Sequence, residues 1–382
     1  MRLSDCHNID DFRRLARARL PWPVFDYIDG AADDELTKAR NTDAFAQADL
    51  VPDVLAGVEE IDTGCTIMGR RSALPLMLSP TAVQRAFHWQ GETAVARAAE
   101  KFGLWFGISS LATRSIEEIA ALTQGPKLFQ LYVHKDKGLN RSMIERCQEA
   151  RFDALALTVD TIVSGKRERC LRSGFTTPPR FSASAIWSYA TRPRWTLDYL
   201  LREKFRLPNL DSHVAEGSRQ AVSIADYFNT MLDTSMDWDT AARIRQDWGG
   251  TFCLKGIMSA GDARRAVEIG ADAIMISNHG GRQLDGSRAP FDQLREIVDA
   301  VGGEIEIICD GGVRRGTHAL KALCAGATAA SGGRLYLYAL AAAGQEGVER
   351  AIGILKDEIE RGMRLMGVTS VDQLKADRLR WR

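Results

Sequence analysis

The sequence predicts an α/β fold, the (β/α)8 or TIM barrel, with an N-terminal helical segment and a long insertion after the fourth strand. Two observations support this fold class: eight short apolar runs follow residue 73, and turns between them lead into helical patterns. The runs lack the polar alternation of a half-exposed sheet, which is typical of parallel strands buried on both faces. A doubly wound open sheet is the alternative for such a pattern.

The chain is expected to form one domain, residues 1–382. Residues 1–72 form an N-terminal helical segment, in which a first helical pattern stops before Pro21 and a second helix covers Val24–Ile28. The barrel is expected over residues 73–370.

The eight predicted strands differ in the strength of their signals. The last is the weakest, because alanine and serine are poor strand formers compared with β-branched residues. Helices with clear boundaries are predicted over Glu92–Lys101, Ile116–Leu122, Asp262–Ile269 and Gly316–Cys324, two of them after capping serines, Ser115 and Ser259. The predicted strands are Leu74–Leu78, Leu104–Ile108, Leu128–Tyr132, Ala154–Val159, Thr251–Leu254, Ala273–Ile276, Ile305–Cys309 and Ala327–Ala330.

One connection is far longer than the others. Roughly ninety residues separate the fourth strand from the fifth, against 2–6 residues in an ordinary βα loop. A helix over Trp238–Trp248 accounts for part of this length, and residues 171–235 form the insertion. Within it, residues 180–210 mix aromatic side chains with six basic and two acidic residues. That composition fits an interfacial membrane segment, and an active-site lid with a solvated basic face is the alternative.

Composition and charge narrow the functional classes. The 382 residues include 50 basic and 50 acidic side chains, and this balance argues against nucleic acid as a partner. No apolar run is long enough for a membrane span, and the polar start lacks the apolar core of a signal peptide. The seven cysteines form no CxxC pair. We therefore expect a cytoplasmic protein with reduced thiols and no metal site, with peripheral contact to the inner membrane face as the alternative.

Polar side chains stand at the carboxyl end of every predicted strand, either within its last residues or directly after it. The carboxyl ends of barrel strands share one face, which is where barrel enzymes place their active sites. The residues at these ends are Ser79–Ala82, Ser109–Ser110, Gln130, Tyr132, Thr158–Asp160, Lys255–Gly256, Ser277–Arg282, Asp310–Arg314 and Gly332–Arg334.

The ends of the last two strands favour a phosphate site. Gly312 and Gly333 allow backbone amides to approach an anion, and Arg314 and Arg334 add positive charge. Barrels commonly bind phosphate after strands 7 and 8. The alternative is a pair of tight turns with surface arginines.

His279 is the strongest candidate for a catalytic base. A lone histidine is usually structural, but Gly280 and Gly281 leave this one uncovered, and Arg282 follows on the same loop. A histidine base beside an arginine that binds a carboxylate suits an acidic substrate. Asp160, from the opposite side of the barrel mouth, could hold the imidazolium that forms.

The sequence resembles the FMN-dependent L-2-hydroxy acid oxidases and dehydrogenases, which include glycolate oxidase, lactate oxidase, L-lactate dehydrogenase and mandelate dehydrogenase. The resemblance covers nearly the whole chain. It rests on the segments Phe25–Ala31, Phe129–Val133, Leu157–Thr161, Ser277–Asp285 and Asp310–Arg314, which match in order and spacing.

The resemblance implies FMN-dependent oxidation of an L-2-hydroxy acid to the 2-oxo acid. His279 would be the base, supported by Asp160, and whether it takes the α-proton (carbanion route) or the hydroxyl proton (hydride route) stays open. The implied substrate-binding residues are Tyr27, Arg167 and Arg282 at the carboxylate and Tyr132 beside the reacting hydroxyl. The chain departs from the family at Cys170, where members usually carry Asp.

The resemblance also implies the residues that bind FMN. Lys255 would stand by flavin N1 and O2, where a cation stabilises negative charge on the reduced ring. The other implied contacts are Pro80, Thr81 and Ala82 at the N5 side, Ser109, Gln130 and Thr158 at the pyrimidine edge, Ser277 and Asp310 at the ribityl chain, and Gly312, Arg314, Gly333 and Arg334 at the phosphate end.

The electron acceptor is open between two classes. Ala82 favours O2, because oxidases of this family tend to carry Ala there while membrane dehydrogenases tend to carry Gly. The composition of residues 180–210 favours a membrane-associated dehydrogenase that reduces a quinone or cytochrome. The resemblance implies a homotetramer. The non-enzymatic alternative is a flavin-binding or interaction module with an inactive site, and the presence of every ionisable residue that the chemistry needs argues against it.

Overall fold

Eight parallel strands close into a barrel in a computed structural model that describes residues 1–174, 182–203, 206–210 and 230–382. Each strand pairs with its sequence neighbours, and the eighth pairs with the first, so the predicted barrel is confirmed and the open sheet is excluded. The strands are β1 (Leu76–Thr81), β2 (Trp105–Ser109), β3 (Lys127–Leu131), β4 (Ala154–Thr158), β5 (Thr251–Ile257), β6 (Ala273–Ile276), β7 (Glu306–Asp310) and β8 (Ala329–Gly332).

The strands are buried on both faces, as the apolar runs predict. Every residue of β2, β3, β4, β6 and β8 is buried. The small residues of β8 still form a strand, paired with β7 and β1. Several strands extend further toward the carboxyl end than the apolar runs indicate, because polar residues such as Ser109 and Asp310 belong to the strands themselves.

Within the described residues, fourteen α-helices surround the barrel or extend from it. The predicted helices at residues 92–101, 116–122, 238–248 and 316–324 are confirmed, and Ser115 and Glu118 form the predicted capping box. They are α1 (Ile9–Arg19), α2 (Trp22–Asp29), α3 (Leu36–Asp43), α4 (Glu92–Lys101), α5 (Ile116–Leu122), α6 (Lys137–Glu149), α7 (Glu168–Ser173), α8 (Ala183–Ala190), α9 (Pro193–Leu201), α10 (Trp238–Trp248), α11 (Ala260–Glu268), α12 (Pro290–Val301), α13 (Gly316–Cys324) and α14 (Arg334–Leu365).

The N-terminal segment packs against the outside of the barrel and against one end of it. Helix α1 lies along α14, which bends at Ala343 and Gly344. A hairpin of Cys65–Ile67 and Arg70–Ser72 precedes β1. Its Ile67 shares a buried apolar cluster with residues from all eight strands, most of them near the strands' amino ends. The hairpin therefore closes the end of the barrel opposite the carboxyl ends of the strands.

The insertion after β4 begins with three short helices, α7, α8 and α9. Residues 175–181, 204–205 and 211–229 lie outside the described residues, so the predicted insertion at 171–235 is described only in part. None of the described helices is long and apolar enough to cross a bilayer.

Candidate active site

A cavity opens at the carboxyl ends of the barrel strands and collects most of the predicted site residues. Residues from strand ends, from α2 and from the start of α14 line it. Among the predicted residues, its lining contains Tyr27, Pro80, Thr81, Ala82, Ser109, Tyr132, Arg167, Lys255, His279, Arg282, Asp310, Gly312, Arg314, Gly333 and Arg334.

The other four predicted residues stand behind that lining. Gln130 accepts a hydrogen bond of 2.8 Å from Ser109 Oγ, and Ser277 Oγ accepts one of 3.0 Å from Lys255 Nζ. Asp160 contacts the ring of His279, and Thr158 is the register partner of Lys255. The structure thus brings the whole predicted set to one end of the barrel.

Two buried polar atoms at the ends of β3 and β4 fit a flavin. Gln130 Nε2 and Thr158 Oγ1 have no hydrogen-bond partner in the part of the chain that the structure describes. A buried polar group without a partner is costly, so a ligand that hydrogen-bonds it is favoured. The pyrimidine edge of a flavin carries both donors and acceptors. Together with the cation of Lys255, these groups match the chemistry of that ring.

Lys255 belongs to a buried polar network at the centre of the barrel mouth. Its Nζ donates to Asp310 Oδ2, and Ser277 Oγ donates to the same oxygen at 2.8 Å. Ser79 Oγ donates to the other carboxylate oxygen, Oδ1. Burial opposes ionisation of Asp310, but Lys255 and the two serines hold the pKa of this carboxyl below its usual value. The site therefore keeps a fixed cation and its counter-ion in place.

The end of β1 is held by a tyrosine that the sequence did not single out. Tyr336, on the first turn of α14, donates from its hydroxyl to the carbonyl of Ser79 at 2.7 Å. The same hydroxyl lies 2.7 Å from Thr81 Oγ1. These contacts fix the backbone of Pro80 and Thr81 in the cavity wall. No local pattern marks Tyr336, because its partners lie more than 250 positions earlier in the chain.

The predicted phosphate end of the site follows β7 and β8. Gly312 has a φ of 74°, and a Cβ there would stand 1.9 Å from the carbonyl oxygen of Asn41, so only glycine fits. Arg314 lies over the ring of Tyr338 at 5.5 Å. Arg334 donates instead to three carbonyls, those of Ile28, Gly30 and Gly280, at 2.9, 2.6 and 2.7 Å. Its guanidinium is thus committed to the N-terminal segment and the His279 loop.

His279 occupies a strained position at the end of β6. Its φ of 57° lies in the left-handed region, which residues other than glycine rarely adopt. Backbone strain of this kind clusters at functional sites. Nδ1 of the ring lies 3.2 Å from Asp160 Oδ1 and 3.3 Å from Thr161 Oγ1. Burial would raise the pKa of Asp160, but His279, Lys255 and Thr161 hold it below its usual value. A carboxylate therefore faces one ring nitrogen and leaves Nε2 for chemistry.

Two arginines stand on the same cavity wall. Arg282 Nη1 donates to the carbonyls of Tyr27 at 2.7 Å and Gly30 at 3.0 Å, and its guanidinium lies over the ring of Tyr27. Burial and the charge of Arg282 together lower the pKa of Arg167. Burial, reinforced by Asp160, raises the pKa of Tyr132, which keeps its hydroxyl protonated. Two like charges that repel each other beside a hydroxyl donor are an arrangement that a carboxylate would stabilise.

The prediction from the sequence did not include the apolar residues that line the cavity. Ile28, Phe87 and Leu337 line it beside the polar groups, and Phe87 stacks on Tyr27 with ring centroids 6.0 Å apart. Ile28 lies within the predicted segment Phe25–Ala31, and Leu337 follows the predicted strand end Gly332–Arg334 by three residues, so helical spacing from that end could have found Leu337. Phe87 lies beyond the turn after β1 and carries no such signal.

Comparisons with known proteins agree with this geometry. The model of the family described as FMN-dependent dehydrogenase matches residues 16–381. The L-lactate dehydrogenase of Alcaligenes faecalis is 39% identical over 376 residues, which cover 97% of each chain. The L-lactate oxidase of a Nostoc species is 38% identical, with 97% of each chain covered. A crystal structure of the monotopic membrane protein (S)-mandelate dehydrogenase superposes with a TM-score of 0.94 at 34% identity, covering 99% of this chain and 100% of that one.

Proposed function

This chain belongs to the FMN-dependent dehydrogenase family, and we propose that it oxidises an L-2-hydroxy acid to the 2-oxo acid with His279 as the base. The observation that carries the proposal is the cavity wall that joins an oriented histidine to two arginines. His279 is held by Asp160 through Nδ1, and Arg167 and Arg282 line the same cavity.

In the proposed reaction, the residues around the substrate have different roles. Arg282 presents the part of its guanidinium that the carbonyls of Tyr27 and Gly30 do not use, and Arg167 adds a second positive charge for the carboxylate. Tyr132, whose pKa is raised by burial, stays a hydrogen-bond donor toward the substrate hydroxyl. The apolar side chains of Phe87 and Leu337 exclude water, which strengthens these charged contacts.

Proton transfer is the part of the reaction that the protein itself performs. His279 accepts a proton at Nε2, and the carboxylate of Asp160 stabilises the imidazolium that results, as an orienting carboxylate does in triad enzymes. The carbanion and hydride routes differ in which substrate proton moves, and both need this base. FMN, when bound, supplies the acceptor for the two electrons of the substrate.

The proposed FMN contacts follow the strand ends. Lys255 and the orphaned groups of Gln130 and Thr158 would bind the ring, with Ser109 beside them. Ser277 and Asp310 would face the ribityl chain. The phosphate would meet Gly312, Arg314 and Gly333. Because the guanidinium of Arg334 is committed to carbonyls, we assign its phosphate contact to the backbone N–H at the start of α14.

O2 is the proposed electron acceptor. Ala82, the residue that favours an oxidase, lines the cavity beside Thr81. A membrane quinone or cytochrome is the second candidate, favoured by the apolar surface of α8 and α9. Trp187 is 72% exposed and Leu200 68% exposed, which is unusual for side chains of this size. One relative of known structure is a monotopic membrane protein.

The wider setting follows from the same family membership. We propose a homotetramer in the cytoplasm, with peripheral contact to the inner membrane face if the membrane acceptor is the right one. Light scattering of the purified holoenzyme measures the assembly. A monomer or dimer would contradict the tetramer.

One experiment tests substrate and acceptor together. The yellow holoenzyme is mixed without air with L-lactate, glycolate and (S)-mandelate in turn, and then air or a short-chain quinone is admitted. Bleaching of the flavin by at least one acid is expected, with recolouring in air. No bleaching by any L-2-hydroxy acid would contradict the function, and recolouring only with the quinone would replace O2 by the second acceptor.

A further inference from the structure

A buried ionic cluster lies outside the cavity, behind the residues proposed to bind the substrate carboxylate. Its centre is Asp29, which is fully buried. Arg13 donates to Asp29 from Nε at 2.5 Å, and Arg169 donates to it from both terminal nitrogens at 3.0 Å. Arg169 also donates to Glu35 at 2.6 and 2.7 Å, and Lys38 pairs with both carboxylates. We call Arg13, Asp29, Glu35, Lys38 and Arg169 the Asp29 cluster.

The proposed carboxylate-binding residues are attached to this cluster at three points. Tyr27 precedes Asp29 by two positions on α2, and Arg167 precedes Arg169 by two positions at the start of α7. Arg282 is attached through the backbone, since its Nη1 donates to the carbonyls on either side of the Ile28–Asp29 pair.

Backbone hydrogen bonds tie the same three segments together. The N–H of Ala32 donates to the carbonyl of Gly281 at 2.9 Å, and the N–H of Asp33 donates to the carbonyl of Lys166 at 2.9 Å. The short stretch from Tyr27 to Glu35 therefore touches both the His279–Arg282 loop and the loop that carries Arg167. A shift of this stretch would move all three carboxylate-binding groups relative to one another.

From this geometry we propose that Asp29 and Arg169 are positioning residues that set the mutual arrangement of Tyr27, Arg167 and Arg282 around the substrate carboxylate. The inference rests on the proposed function. On this proposal, an ionic contact outside the cavity influences substrate affinity, although neither Asp29 nor Arg169 contacts the substrate or FMN.

The charges of the cluster explain why the arrangement is stiff. Burial opposes ionisation of Asp29, but Arg13 and Lys38 hold the pKa of this carboxyl far below its usual value. A buried carboxylate bonded by two guanidinium groups and the hydroxyl of Tyr338 has little freedom to move. Cys170 adds only a long contact of 3.9 Å to the carbonyl of Asp26, so Arg169 carries the ionic attachment of this loop.

The test compares two arginines of the same short helix. Arg169→Gln removes the contacts with Asp29 and Glu35. Arg172→Gln is the matched control, because Arg172 is 73% exposed and pairs only with Glu168 in the described residues. For each holoenzyme, titration with a 2-oxo acid gives a dissociation constant from the flavin spectrum, and anaerobic mixing gives the limiting rate of flavin reduction. Thermal unfolding reports the overall fold.

Arg169→Gln is expected to weaken 2-oxo acid binding about tenfold or more, because a charge-assisted hydrogen bond to the carboxylate that is lost or misaligned costs about that much affinity. The limiting rate at saturating substrate should change much less, because His279 and Asp160 are untouched. Arg169→Lys should recover part of the affinity, and Arg172→Gln should match the wild type.

A folded Arg169→Gln protein with wild-type affinity would overturn the inference. So would an equal loss of affinity in Arg172→Gln. If Arg169→Gln does not fold, Arg169→Lys with unchanged affinity, taken together with Glu35→Gln with unchanged affinity, overturns it as well. Failure of the proposed function looks different, because the wild-type protein itself would then not be reduced by any L-2-hydroxy acid.

Discussion

At the scale of single residues, Arg282 has a guanidinium that binds protein carbonyls and, in the proposed function, the substrate carboxylate as well. Nη1 is used by the carbonyls of Tyr27 and Gly30, and Nη2 and Nε make no hydrogen bond with the described residues. Lysine keeps the charge but has no planar fork, so it cannot make both sets of contacts.

Arg282→Lys should therefore lose one or two charge-assisted hydrogen bonds. We expect binding of a 2-oxo acid to weaken about 10- to 100-fold, measured from the flavin spectrum of the holoenzyme. Methyl esters of the substrate should be poor substrates of the wild type for the same reason. Esters that turned over as well as the free acids would contradict carboxylate binding by Arg282.

Residue types at strand ends were enough to predict most of the candidate site. His279, Arg282 and Lys255 could be found because each follows an apolar run at a position where a polar side chain has no structural need. The contacts of Arg334 with the carbonyls of Ile28 and Gly30 and those of Arg169 with Asp29 could not, because they join residues more than 130 positions apart. Such contacts depend on packing of distant segments, which leaves no local pattern.

At the scale of elements, strands were predicted better than their ends. The apolar runs locate all eight strands, but Ser109 and Asp310 belong to strands while being polar, so hydrophobicity ends the prediction too early. Strand β8 is the instructive case. Its Ser331 Oγ lies 2.6 Å from Ser79 Oγ of β1, so a small polar residue joins the two strands at which the barrel closes.

Helices α8 and α9 offer two tryptophans with different environments. Trp187 is 72% exposed on α8. Trp195 on α9 donates from Nε1 to the carbonyl of Ala86 at 3.0 Å and stacks on Tyr199. Composition alone treats the two as equivalent members of an interfacial segment, and the structure separates a surface residue from an anchor of α9 to the barrel.

If α8 rests on a membrane surface, Trp187 should matter most. We expect the protein to sediment with vesicles of anionic lipid at low ionic strength and to be partly released by salt, because basic residues near such a surface contribute about 1 kcal/mol each and are screened by ions. Trp187→Ser should weaken sedimentation and leave flavin reduction unchanged.

The control is an exposed apolar residue of another surface, Leu365→Ser on α14, which is 69% exposed in the wild type. This variant should bind vesicles as the wild type does. Wild-type protein that stays in the supernatant at low salt would favour a lid function for the insertion.

At the scale of the whole molecule, buried histidines make stability depend on pH. Burial lowers the pKa of His134 to about 4, against a partial opposing effect of Asn140. His88 and His318 are lowered to about 4 for the same reason. The unfolded chain therefore binds more protons than the folded one between about pH 4 and 6.5, so stability falls as the pH falls through that window.

For His134, which is fully buried, this linkage costs on the order of 2 kcal/mol of unfolding free energy between pH 7 and pH 5. Denaturant unfolding at the two pH values measures it. The His134→Gln variant should lose less stability over the same interval. An equal loss in both proteins would show that His134 is not the group that titrates.

The barrel could be predicted from the sequence because eight repeated strand and helix signals agree with one another. The insertion could not, since its aromatic and basic composition fits a lid and a membrane surface equally well, and residues 211–229 lie outside the described part of the chain. The fold is predicted from a repeated local pattern, whereas the membrane acceptor is suggested only by one segment that has no repeat.

In the proposed reaction His279 takes the substrate proton, and flavin reduction in a single turnover without air tests this role most directly. His279 lines the cavity and is held by Asp160. His279→Gln should bind FMN and remain yellow, because the residue is not among the proposed FMN contacts. Its flavin should bleach about 10²- to 10⁴-fold more slowly than that of the wild type with the preferred L-2-hydroxy acid. Reduction of this variant at close to the wild-type rate would contradict the account.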